Sequence, residues 1–185
     1  MYSPKLELLD YKIAIDREIH AQPELKEYNT AFFTGHRGVG QSVVKPINKL
    51  INMAISHGVT EFFSGMAIGT DLLAAEILTD RHLPWKAITP CPYQCIKWEK
   101  THQNAYWQLL RSADAEIRIS ENYTPTCMME RNAYMVKHAD LCLAVWDGRS
   151  NGGTYQTLKM ARKAKKLIFA YNPQSNSFRT IDDHL

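Results

Sequence analysis

From Ala31 to Tyr171, short β-rich runs alternate with longer segments of helical periodicity, and few architectures accommodate that order. Six runs read as strands: AFFT at 31–34, EFFS at 61–64, WKAIT at 85–89, EIRIS at 116–120, LCLAVW at 141–146 and LIFAY at 167–171. Apolar residues fill most of them, as in parallel strands covered on both faces. EIRIS alternates instead, the pattern of an edge strand. Helical periodicity falls near 43–57, 71–82, 96–112, 127–138 and 154–165. Pro46 suits the first turn of its helix, and His57-Gly58 supplies the glycine that closes it. The expectation is a doubly wound α/β fold, a three-layer sandwich around a mostly parallel sheet of about six strands. An N-terminal helical extension (1–30) precedes the domain (31–172), and a polar tail (173–185) follows it.

The bulk properties narrow the partners. A chain of 185 residues suits one domain with one appendage. Lys plus Arg is 22 against 19 Asp plus Glu, a formal charge of +3, so no basic excess demands a nucleic acid. No apolar run reaches the length of a membrane span and MYSPKLELLD has no signal-peptide core, so the expected compartment is the cytosol, with no membrane partner. Cys91, Cys95, Cys127 and Cys142 lack the spacing of a disulfide framework and are expected as free thiols. Cys91, Cys95 and His102 could approach a metal, but the second close ligand pair of a zinc site is missing, so no metal is expected. Leu6, Leu9 and Ile13 give the N-terminal extension an apolar stripe that must pack on its own domain or across a dimer interface.

Ligands of open parallel sheets sit beyond the carboxyl ends of the strands, where helix N-termini present free amides. Three loops there are glycine-rich: Thr34-Gly35-His36-Arg37 and onward after the first strand, Ser64-Gly65 through Gly69-Thr70-Asp71 after the second, and Asp147 through Gly152-Gly153-Thr154 after the fifth. Glycine allows close approach to a ligand, and a following hydroxyl adds a donor, a combination suited to phosphate. The plainer role is a tight turn with a helix cap, for which Thr70, Asp71, Asn151 and Thr154 are good residue types. Neither a P-loop nor a dinucleotide fingerprint is present. The expected roles are phosphate binding by Gly35, Arg37, Gly152, Gly153 and Thr154, ribose contact by Asp71, and an anion-facing position for Arg131. His36 and Asn132 complete the set. Aromatics interleave with polar residues from Pro90 to Trp107, which adds Gln94 and Trp98 as candidates for stacking a base.

The blocks TGHR at 34–37, FFSGMAIGTDLLAAE at 62–76, P-x-x-x-Q-x-x-x-W from Pro90 to Trp98, MMERNAYMV at 128–136, and DG with GGT at 147–154 resemble the YpsA-like branch of the SLOG superfamily. That Rossmann-like group also holds the Lonely Guy phosphoribohydrolases and the Rossmann domain of DNA-processing protein A. The resemblance implies binding of a nucleotide or ADP-ribose-like ligand with no required cofactor, in signalling, stress or phage-related processes, and a homo-oligomer. The Lonely Guy relatives imply a rival, N-glycosidase cleavage of nucleoside monophosphates, with Arg131 on the family's catalytic arginine. The family's glutamate corresponds to Thr157, which cannot carry the charge that chemistry uses. SGMAIGTD also resembles the glycine loop of DNA-processing protein A, which implies single-stranded DNA as a third partner class.

Overall fold

The structure, a computed structural model, describes residues 28–181. The N-terminal stripe of Leu6, Leu9 and Ile13 lies outside the described residues.

In chain order the elements are β1 (Thr30–Gly35), a 3-10 turn (Gln41–Val43), α1 (Val44–Ser56), β2 (Glu61–Ser64), α2 (Thr70–Asp80), β3 (Trp85–Thr89), α3 (Lys100–Ser112), β4 (Ala115–Arg118), α4 (Cys127–His138), β5 (Leu141–Val145), α5 (Gly152–Lys163), β6 (Leu167–Asn172) and β7 (Ser177–Ile181). They form one seven-stranded sheet in the order β4-β3-β2-β1-β5-β6-β7. All neighbours are parallel except β6 and β7. This is a Rossmann-like α/β fold.

Burial divides the helices between the two faces. Ile47, Leu50 and Ile51 of α1, Ala74, Ala75 and Leu78 of α2, and Tyr106 and Leu109 of α3 join Phe33, Phe62 and Leu143 in one core. Met135 and Val136 of α4, with Leu158 and Ala161 of α5, join Phe32, Cys142 and Ile168 in the other. Phe32 and Phe33 thus point to opposite faces, as successive strand residues must. Every residue of β5 is buried, whereas β4 alternates half-buried and exposed, as expected of EIRIS at an edge.

Two local features differ from the sequence expectation. Residues 177–181, read as part of a polar tail, run antiparallel to β6, with Tyr171 opposite Phe178 and the two rings 4.9 Å apart. The third helix begins at Lys100, not near 96, because the preceding residues turn instead; Trp98 N–H donates to the Cys95 carbonyl at 2.9 Å. The end of α1 is as read: Gly58 has φ +94, its N–H donates to Ile55 at 3.0 Å, and Val59 N–H donates to Ala54 at 3.1 Å, a Schellman closure. The four cysteines are buried and unpaired. Among the described residues no helix is long and apolar enough to cross a membrane, and no group of three His, Cys, Asp or Glu side chains is placed to hold a metal ion.

Candidate functional site

The chain leaves β1 toward β2 on one side and reaches β5 on the other, so the loops after β1 and β5 diverge at a switch in strand order. Such a point opens a crevice at the carboxyl edge of the sheet. A cleft of about 280 Å³ lies there, lined by Phe33 to Arg37, Ala67, Asp71, Met128, Met129, Arg131, Asn132, Gly153 and Thr154. It therefore gathers nine of the residues singled out from sequence: Thr34, Gly35, His36, Arg37, Asp71, Arg131, Asn132, Gly153 and Thr154.

At its centre is a buried ion pair. Arg131 Nη1 lies 3.8 Å from Asp71 Oδ2, with side chains only 5% and 8% exposed. Nη1 also donates to the Gly65 carbonyl, and Nε donates to Asn132 Oδ1 at 2.7 Å. Burial disfavours the charged form of both partners. It raises the Asp71 carboxyl above its ordinary value against the pull of Arg131, the Ala67 N–H and Arg37, and it lowers the Arg131 guanidinium against the pull of Asp71. Among the described residues Asp71 is the only carboxylate lining the cleft, facing two guanidinium groups. Arg37, the second, is exposed and makes no side-chain hydrogen bond among the described residues. The cleft thus offers an uncommitted cation.

Arg131 is tied in turn to the start of α5. Asn132 Nδ2 donates to Thr157 Oγ1 at 2.9 Å, and the Thr157 hydroxyl donates to the Gly153 carbonyl at 2.8 Å. Thr157 is fully buried and does not line the cleft, so it serves as a strut. The other carboxylates near this region are committed elsewhere. Glu130 is exposed and accepts from Thr126 Oγ1 at 2.7 Å. Asp147 Oδ1 lies 2.8 Å from His36 Nε2, and Asp147 Oδ2 accepts from Arg149 Nε at 2.8 Å. Those hydrogen bonds from Arg149, against some desolvation and with help from His36, hold the Asp147 carboxyl down at about 2. Asp147 therefore stands behind His36 as its anchor.

The remaining predicted residues lie beneath or beside the cleft. Ser64 is fully buried and donates to the Asp71 carbonyl at 2.9 Å, fixing the first turn of α2. Thr70 donates through both N–H and hydroxyl to the His36 carbonyl, at 3.2 and 3.1 Å. The cap of α2 is Gly69, and neither it nor Asn151 at α5 makes a side-chain cap bond, so Thr70, Asp71, Asn151 and Thr154 do not act as the expected side-chain caps.

Nor do the glycines share one purpose. A Cβ at Gly35 would fall 2.2 Å from Thr70 Oγ1, one at Gly65 2.3 Å from Arg131 Nη1, and one at Gly69 2.4 Å from the Arg37 carbonyl. These three allow protein to meet protein. At Gly152 and Gly153 a Cβ would meet nothing within 4 Å, so the first turn of α5 faces open space.

Gln94 and Trp98 are not part of the cleft lining. Gln94 Nε2 donates to the carbonyl of Met66 at 3.0 Å, bracing a buried residue with φ 58. Trp98 packs edge-on against Tyr106, with ring centroids 5.6 Å apart at 89°. Met128 and Met129, which sequence reasoning left out of the site, line the cleft. A signal existed, because Met128, Arg131 and Asn132 share one helix face at spacings of three and four.

The family model that matches residues 25–174 is described as the YspA SLOG family. The chain belongs to this family. Relatives include the uncharacterized SPbeta prophage-derived protein YoqJ of Bacillus subtilis, 32% identical over 55% of this chain and 69% of that protein. A UPF0398 protein of Halalkalibacterium halodurans is 26% identical over 73% of this chain and 75% of its own length. Among solved structures, DNA processing protein A of Streptococcus pneumoniae superposes with a TM-score of 0.62 at 15% identity, covering 80% of this chain. The SLOG chain described here spans 52% of the length of that structure. DNA processing protein A of Helicobacter pylori, whose structure was described for its single-stranded DNA binding mode, superposes at 0.59 with 17% identity, covering 83% of this chain and 69% of that one. At these identities the likeness is one of fold.

Proposed function

We propose that this SLOG domain binds a nucleotide or nucleotide-derived ligand, with the phosphate held in the cleft between Arg37, Arg131 and the first turn of α5. One observation carries the reading: two guanidinium groups and an open helix start, Gly153-Thr154, line the same small cleft at the switch in strand order. Arg37 supplies the exposed charge-assisted donor, Gly153 and Thr154 supply backbone amides, and Asp71 accepts from a ribose hydroxyl. ADP-ribose and related compounds belong to the same ligand class, and no further cofactor is required by this reading.

Binding without turnover is favoured over N-glycosidase chemistry. The carboxylate available in the cleft is Asp71, which is locked to Arg131, and Thr157 is a buried strut. A thermal-shift screen over nucleoside monophosphates, cyclic nucleotides and ADP-ribose, followed by calorimetry, tests the reading, because a ligand specific to the folded state raises the midpoint by mass action. Saturable binding of at least one phosphate-bearing compound is expected. No shift with any of them refutes it, and a steeply salt-dependent affinity for oligonucleotides would move the assignment to single-stranded DNA.

A further inference from the structure

A second cavity lies beside the cleft. A groove of about 410 Å³ runs between α2 and α3. Ile68, Leu72, Leu73 and Leu109 form much of its apolar floor, and Glu76 and Gln108 stand on its two rims. It meets the cleft at Arg37, which lines both.

We propose that this groove seats the nucleobase of the ligand whose phosphate lies in the cleft, a proposal that rests on the nucleotide reading above. Three observations carry it. The cleft, at about 280 Å³, falls just below the range of roughly 300–1,000 Å³ usual for a whole ligand, so a nucleotide extends beyond it. The groove has the composition of a base site, an apolar floor with a few convergent polar groups. Three polar groups of the lining are uncommitted, since Glu76, His102 and Gln108 make no side-chain hydrogen bond among the described residues, whereas the Thr79 and Ser112 hydroxyls are bonded to α2 and α3.

The opposite direction, over Met128 and Met129, offers apolar contact without recognition. There Glu130 is taken up by Thr126, Asn132 by Arg131 and Thr157, and Arg131 by Gly65 and Asp71. A base needs partners for its edge as well as its face. In the groove the Glu76 carboxylate accepts from an exocyclic amino group, while the Gln108 amide both donates and accepts. Arg37, between the two cavities, spans phosphate and base.

Calorimetry on the full chain compares ribose 5-phosphate with AMP, GMP, CMP and UMP. At least one nucleotide is expected to bind about tenfold or more tighter than ribose 5-phosphate, a gain of about 1.4 kcal/mol. Leu73→Ser in the floor and Glu76→Gln and Gln108→Ala on the exposed rims should each reduce that gain while leaving ribose 5-phosphate affinity unchanged. Thermal midpoints, together with the unchanged sugar-phosphate affinity, show that the variants are folded. Nucleotides binding no tighter than ribose 5-phosphate, or groove variants without effect, overturn the base site and leave the phosphate reading standing. A gain abolished by Met129→Ala but not by the groove variants overturns it too, and places the base on α4. Groove variants that change only the oligomeric state make the groove an interface between copies. Failure of both ribose 5-phosphate and the nucleotides to bind refutes the phosphate reading together with the base site.

Discussion

Replacing Arg131 by methionine tests whether the Arg131–Asp71 pair holds the site together as well as facing a ligand. Both side chains are more than nine-tenths buried, and methionine keeps much of the volume while removing the charge. Three interactions go: the ion pair, the donation to Gly65 and the donation to Asn132. Breaking a buried pair from one side costs about 3–5 kcal/mol, because the other charge is left uncompensated. At a urea m-value of about 2 kcal/mol/M this lowers the denaturation midpoint by about 1.5–2.5 M. The loss has a pH signature. Burial already raises the Asp71 carboxyl, and Arg131 is the largest influence opposing that rise, so the variant raises it further. An acid with a folded pKa above its unfolded value destabilises the fold while ionised. The penalty is full above the folded pKa and fades as pH falls toward the unfolded one. Urea curves at pH 7.5 and 5 should therefore show part of the loss recovered at the lower pH. Combining Arg131→Met with Asp71→Asn should cost less than the sum of the single changes, with a coupling of about 0.5–3 kcal/mol. Additive losses without pH recovery would refute the pair as an energetic unit. The same burial means that Arg131 variants report stability and binding together.

Arg37→Ala removes an exposed, uncommitted cation; it should leave the thermal midpoint unchanged and weaken phosphate-ligand binding by about 1.5–3 kcal/mol in calorimetry. Thr157→Val breaks the strut between Asn132 and Gly153 and should weaken ligand binding, with Thr157→Ser restoring it by the same titration; an equal loss in both refutes the hydroxyl's role. Release of ribose 5-phosphate from AMP, followed chromatographically, should stay far below ordinary turnover of about 1–1,000 per second, and Thr157→Glu should lower the thermal midpoint without creating activity, since the position is fully buried. The 185-residue chain should scatter light as a homodimer or higher oligomer at micromolar concentration; a monomer refutes this.

The sheet was largely legible because its central strands are buried on both faces, and continuous apolar runs such as LCLAV have few other homes. β7 was hidden for the converse reason. An edge strand needs few apolar residues, and in SFRTI only Ile181 is buried, with Phe178 half-covered beside Tyr171. The loops of the site were legible through their glycines, yet what each glycine accommodates depends on partners far away in sequence. Gly65 is packed against Arg131, 66 residues further on, and no local pattern carries that information. The placing of Gln94 and Trp98 outside the cleft lining was hidden for a related reason. Aromatic density describes a base platform and a small packed cluster equally well, and the edge-on contact of Trp98 with Tyr106 is not written in the local pattern.

The crossing of the loops after β1 and β2 leaves the cleft with one fixed jaw. Gly35 lies against Thr70 and Gly69 against the backbone of Arg37, with no room for even a methyl group between them, so neither loop can slide without carrying the other. On the facing side the turn at Gly152-Gly153 has open space around it. For the nucleotide ligand proposed above, adjustment would come from the α5 side, with the seam that carries Arg37 as the stationary reference for ligand length. Under that proposal, bulk added at Gly153 would shorten the compounds admitted, whereas bulk at Gly35 or Gly69 would dismantle the gauge.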